Sequence, residues 1–149
     1  MQVDARRALE AKLLAALARR EYSQAELCHK FGQMFGQDLV AEVLAEYSQK
    51  GWQSDERFAE QFVRAKVERG QGRIKVEYEL KQHNIAQALC ADLLDAVDWR
   101  AVADAIYKRK YDAQAMDAKE RAKRQRFLLQ RGFSFDDINA VINNDVNNS

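Results

Sequence analysis

The chain has 149 residues, 47% apolar and 32% charged, which is enough apolar material for a packed core and excludes a disordered polyelectrolyte. Lys and Arg number 24 against 23 Asp and Glu, so the net charge of +1 by itself points to no partner. Two cysteines, Cys28 and Cys90, are too few for a disulfide framework, no proline interrupts the chain, and no apolar run reaches the ~18 residues of a membrane span. With an N-terminus that lacks an apolar signal core, these features predict an all-helical, cytoplasmic protein without a membrane partner.

Helical periodicity runs from end to end. From Asp4, a candidate N-cap, to Arg20 the apolar set Leu9, Leu13, Leu14 and Leu17 forms one stripe. Ser23 to Glu26 reads as a capping box for a second helix with Leu27 and Phe31 inward and Gly32 as its end. A third helix spans about Asp38 to Lys50, with Val40, Val43, Leu44 and Tyr47 inward and Gly51 beyond it. Ser54 caps a fourth, whose inward face is Phe58, Phe62 and Val63, and Gly70-Gln-Gly72 breaks it. A fifth buries Val76 and Leu80 and stops at Asn84; a sixth, about Ala86 to Val97, presents Leu89, Cys90, Leu93 and Leu94. Asp98 caps a seventh with Val102 and Ile106 inward, and the stretch 111–118 is a loop. An eighth, from Asp117 to Arg131, buries Phe127 and Leu128 and ends at Gly132. Ser134 and Asp137 start a ninth that buries Ile138, Val141 and Ile142, and the polar tail 143–149 is expected to fray.

Nine helices make three triplets, and subtraction gives their register. Leu80, Ile85, Cys90, Leu93 and Leu94 recur 48 residues later as Leu128, Phe133, Ile138, Val141 and Ile142. Val40, Val43 and Leu44 recur at an offset of 50, and Leu9, Leu13 and Leu14 at 49. Such periods signal a stacked helical array. The expected architecture is all-α, with three tandem three-helix repeats (1–53, 54–97 and 98–149) forming an elongated, curved array.

The net charge conceals strong alternation. Residues 57–83 hold seven basic and four acidic side chains, and residues 108–131 hold nine and three. These blocks contain the middle helices of the second and third triplets, which tend to share one side of a solenoid. The expectation is one basic track of Arg64, Arg69, Arg73, Lys75, Lys81, Lys119, Lys123, Arg124, Arg126 and Arg131. A polyanion is its natural partner, and an acidic protein groove is the alternative. The bland reading is a solvated helix face with i, i+4 pairs such as Glu77–Lys81. On the track reading, Lys123→Glu with Arg124→Glu weakens binding and leaves the fold intact.

Catalytic chemistry finds no foothold. His29 and His83 fall near helix ends, where capping or exposure accounts for them, and Cys28 and Cys90 suit core packing. No CxxC, HExxH, GxSxG or P-loop occurs, so neither metal, cofactor nor small-molecule substrate is expected. Gly70-Gln-Gly72 lacks a preceding strand and a third glycine; together with Gly132 it reads as a structural turn that brings helices close. Trp52 and Trp99 sit in corresponding linkers and are expected to pack between repeats.

Several of these segments carry a family pattern. Ser54-Asp-Glu-Arg-Phe-Ala-Glu-Gln-Phe-Val63, then Gly70-Gln-Gly72, then Glu79-Leu80 with Ile85, and finally Arg126 to Phe133 resemble the RecX family of bacterial RecA regulators. Tyr22 to Leu27 is similar to the family's start of the first repeat. The resemblance implies three tandem three-helix repeats and a non-enzymatic protein. It also implies binding to RecA and the RecA–ssDNA filament, with inhibition of ATPase, strand exchange and coprotease activities. Weaker direct binding to DNA is implied as well; the alternative reading is a stand-alone nucleic-acid-binding helical module. One departure stands out: the family usually has proline after the Gly-x-Gly turn, and this chain has Arg73.

Overall fold

The structure, a computed structural model, describes residues 2–112 and 115–147. The described residues form α1 (Gln2–Arg19), α2 (Gln24–Phe35), α3 (Gln37–Gln49), α4 (Asp55–Glu68), α5 (Arg73–Gln82), α6 (Gln87–Asp95), α7 (Trp99–Lys110), α8 (Ala118–Gln130) and α9 (Phe135–Asn147). Closely packed helix pairs all fall within the triplets α1–α3, α4–α6 and α7–α9. Each triplet encloses its own apolar cluster, centred on Leu9, Leu27 and Leu44, on Val76, Leu80 and Leu94, and on Leu128, Ile138 and Ile142. The accessible surface is 9463 Å². A compact protein of this mass exposes about 7,800 Å². The excess fits a row of small cores in place of one compact body.

The caps follow local chemistry. The Ser23 hydroxyl accepts from the Glu26 amide while the Glu26 carboxylate accepts from the Ser23 amide, a reciprocal box. Ser54, Asp98, Asp117 and Ser134 cap α4, α7, α8 and α9 by accepting from the amide three residues on. The middle helices end at left-handed residues, Gly36 (φ 88), Asn84 (φ 55) and Gly132 (φ 95), spaced 48 residues apart.

Several expectations are revised. Helix α1 begins at Gln2, so Asp4 lies in its first turn instead of capping it. Helix α2 passes through Gly32, which is buried beside the Gln37 side chain, and ends before Gly36. Leu14 and Leu89 face outward. On α7 the fully inward residues are Ala103 and Tyr107, while Val102 and Ile106 are half-buried. Helix α9 continues through Asn147, because Asn143 accepts from Arg121 and Asp145 accepts from Tyr107 and Arg124. Residues 148 and 149 of the expected frayed tail, and 113 and 114 of the expected loop, lie outside the described residues. Trp99 is buried in the second core although it opens α7, and its Nε1 donates to the Leu94 carbonyl at 2.8 Å. Trp52 instead stays half-exposed on the first unit, edge-on to Tyr47.

The two joints between triplets differ in kind. The first is polar. Buried Gln53 donates to the Tyr22 carbonyl and to Asp55, whose carboxylate also accepts from the Gln24 amide. Arg57 adds an ion pair to Glu21 at 2.6 Å. The second is backbone on backbone. The amides of Gly72 and Ile74, at the start of α5, donate to the carbonyls of Arg131 and Gly132, at the end of α8, at 2.7 and 3.0 Å. The donor-rich end of one helix thus meets the acceptor-rich end of another, satisfying groups that neither helix can satisfy internally. A Cβ on Gly72 would stand 2.4 Å from the Gly132 carbonyl carbon, and one on Gly132 would stand 2.4 Å from the Lys75 Cβ. Sequence reading expects these glycines to draw α4 and α5 together; the close approach they permit is between α5 and the turn after α8. Arg73 occupies the first helical position of α5. That amide has no intrahelical acceptor, so a proline would also be tolerated at this position.

Arg124 is the main correction to the basic track. Its side chain is 6% exposed and sits in the third unit. It donates to the Tyr107 hydroxyl at 2.7 Å, to Asp145 at 3.2 Å and to Glu120 at 3.1 Å, with the guanidinium 4.6 Å from the Tyr111 ring centre. Burial opposes its charge, but hydrogen bonds with Tyr107 and Glu120 outweigh that and raise its pKa. The cause of burial is the helix period: Arg124 lies one turn before Leu128 on the inward stripe of α8.

Two measurements check this packing. Gly72→Ala is expected to lower stability to urea by about 1–3 kcal/mol, because the added methyl meets backbone that cannot swing aside. Arg124→Glu is expected to cost about 3–5 kcal/mol by setting a third carboxylate beside Glu120 and Asp145. Lys123→Glu, one residue away and exposed, is expected to stay within about 0.5 kcal/mol of the wild-type chain.

Candidate functional site

Charge accounting separates the structural cations from the available ones. Arg6 is held by Glu10, Glu42 and Glu46, Arg20 by Glu26, Lys66 by Glu79, and Arg100 by Asp137. From the predicted track, Arg73 pairs with Asp95 at 2.7 Å and lies 3.8 Å from Glu77, and Arg124 is buried. The other eight, Arg64, Arg69, Lys75, Lys81, Lys119, Lys123, Arg126 and Arg131, have no carboxylate within 4.0 Å among the described residues. A cation without a carboxylate partner can meet an external anion directly, whereas a paired one must first surrender its partner.

Two groups of these cations are built by the fold. On α8, Lys119, Lys123 and Arg126 follow i, i+4, i+7 spacing and border one shallow depression of about 360 Å³ with Met116 and Glu120. At the second joint, Arg131 donates to the Arg69 carbonyl at 3.0 Å, and Lys75 packs its Cβ against Gly132. Because α8 ends where α5 begins, the two basic helices meet end to end instead of lying side by side. Lys81 stands two turns further along α5, and Arg64 is on the exposed side of α4.

Sequence reasoning passed over Arg109. It lines a groove of about 390 Å³ with Val67, Glu68 and Ile106, on the side of the joint where the Ile106 side chain packs over Gly70. The signal was present: Arg109 follows Ile106 by three residues on α7 and so shares its face. The counter-charge has its own place. Asp98, Asp104, Asp112 and Asp145 line a groove of about 680 Å³ between α7 and α9, where they outnumber Arg100 and Lys108.

Reactive groups are housed as core or cap. Burial pushes the thiols of Cys28 and Cys90 up, with the charges of Asp55 and Glu77 adding to the effect, so both are poor nucleophiles. His83 ends α5 edge-on to Phe58 and Phe62 at 5.1 and 5.3 Å between ring centres, and His29 is exposed. Among the described residues no His, Cys, Asp and Glu cluster suits a metal, and no helix is long and apolar enough to cross a membrane.

Known proteins share both the sequence and the fold. Residues 54–94 match the family model for the second three-helix domain of RecX, and residues 98–142 match that for the third. The regulatory protein RecX of Chromohalobacter salexigens is 39% identical over 125 residues, 82% of each chain. That of Halorhodospira halophila is 38% identical over 133 residues, covering 86% of this chain and 82% of the relative. The crystal structure of RecX from Lactobacillus salivarius superposes with a TM-score of 0.81 at 19% identity, covering 95% of this chain and 97% of the other. The tandem triplets, the glycine joint and these similarities together show that the chain belongs to the RecX family.

Proposed function

We propose that this chain is a non-enzymatic regulator that binds RecA and the RecA–ssDNA filament. It inhibits RecA ATP hydrolysis, strand exchange and coprotease activity, and thereby modulates recombination, DNA repair and the SOS response. Family membership supports the regulatory role, and the relatives are named regulatory proteins. The observation that carries the mode of action is the line of unpaired cations along α8 and across the joint to α5. An elongated body with a positive edge lies along an anionic filament, spans neighbouring protomers and blocks the movements that ATP turnover requires. Contact with DNA phosphates along the same edge accounts for weaker direct DNA binding.

The test is RecA ATPase on single-stranded DNA over a concentration series of the protein. Hydrolysis is expected to fall at substoichiometric amounts, and unchanged hydrolysis would reject the reading. A second measurement locates the contact. Lys119→Glu, Lys123→Glu and Arg126→Glu combined are expected to weaken inhibition about tenfold or more, with the melting temperature near wild type. If those three contact DNA phosphates, replacing them with alanine lowers the salt slope for bare single-stranded DNA by about 0.7 per contact.

A further inference from the structure

Helix α5 is apolar on two sides. Val76 and Leu80, four residues apart, are buried in the second core. Ile74 and Tyr78, also four residues apart, begin two positions earlier, which turns them about 200° around the helix. They are 58% and 63% exposed. The core covers the first of these sides and leaves the second open to solvent. Among the described residues Tyr78 makes no aromatic, cation–π or hydrogen-bond contact. The other exposed large apolar residues do not form an adjacent pair one helical turn apart.

We infer that Ile74 and Tyr78 form the apolar anchor by which α5 docks on a protein surface with an apolar pocket bordered by carboxylates. The partner's charge follows from the surroundings. Lys75 and Glu77 flank the pair on opposite sides and Lys81 continues the Ile74–Tyr78 stripe at i+3 from Tyr78. Glu77 lies beside Arg73 and Glu79 pairs with Lys66, whereas neither lysine has a carboxylate partner among the described residues, so the unmatched charge around the stripe is positive. An aromatic anchor with a charged rim is the usual anatomy of a protein interface. The aliphatic member of the pair distinguishes this from a base-stacking platform, since Ile74 offers no π-face to a nucleobase. The anchor is also held in advance. The Ile74 amide donates to the Gly132 carbonyl across the joint, so α5 is oriented before the partner arrives and less ordering remains for binding.

This inference rests on the filament reading above and assigns that contact its apolar centre. The experiment measures binding of the full chain to RecA–ssDNA filaments and, separately, to bare single-stranded DNA, for the wild type, Tyr78→Ala, Ile74→Ala and Tyr78→Phe. Tyr78→Ala is expected to weaken filament binding about 10- to 30-fold, Ile74→Ala by less, and Tyr78→Phe to retain most of it. The salt dependence is expected to stay unchanged, because no charge is removed. Melting temperatures near wild type verify that the exposed substitutions leave the fold intact. A wild-type chain that binds the filament while Tyr78→Ala binds equally well overturns this inference alone. Equal losses on filament and bare DNA also overturn it, and make the stripe a nucleotide surface. A wild-type chain that leaves the filament unbound overturns the filament reading and this anchor with it.

Discussion

The contact between the Gly72 and Gly132 backbones sets the geometry on which the rest of the second and third units depends. Each triplet buries its own small core, so apolar burial alone leaves neighbouring units free to take many relative orientations. Two backbone hydrogen bonds across a space too narrow for a Cβ remove that freedom. They also bring opposite partial charges together, the free carbonyls after α8 against the free amides before α5. Ile106 over Gly70 and Trp99 in the second core support the same orientation from α7.

Orientation decides which cations of a near-neutral chain find a carboxylate and which do not. Carboxylates are nearly as numerous as cations, 23 against 24, yet they are not evenly matched in space. They neutralise Arg6, Arg20, Arg57, Lys66, Arg73 and Arg100, most of them where helices or units meet. Lys119, Lys123 and Arg126 on α8, and Arg69, Lys75 and Arg131 at the joint, have no carboxylate partner among the described residues. The first joint shows the contrast. It is held by Gln53, Asp55 and an Arg57–Glu21 pair, so its charges are engaged in structure.

Arg124 shows how closely structure and charge are coupled in a small core. The third unit closes around a cation, two carboxylates and a phenol instead of another aliphatic side chain. Burial pushes the Tyr107 phenol up, keeping it neutral while it donates to Asp145 and accepts from Arg124. Such a network is satisfied only as a whole, and through Asp145 it ties α9 to α7 and α8.

Fold class, helix number and most core residues were legible in the sequence, because buried stripes at helical spacing and cap residues are local features. The 48-residue register was legible too, and it held more than was taken from it: Arg124 stands 48 residues after Val76, a position the core had already claimed. Lys123 stands equally far from Lys75, which is why these two do reach the surface. What the tertiary structure alone decided is which charges pair and which glycines touch. Arg73 meeting Asp95 and Gly72 meeting Gly132 join residues 22 and 60 positions apart, and no periodicity along a single helix encodes such a distance. Local pattern dictates which face of a helix turns inward, whereas the pairing of exposed charges depends on where whole units come to rest.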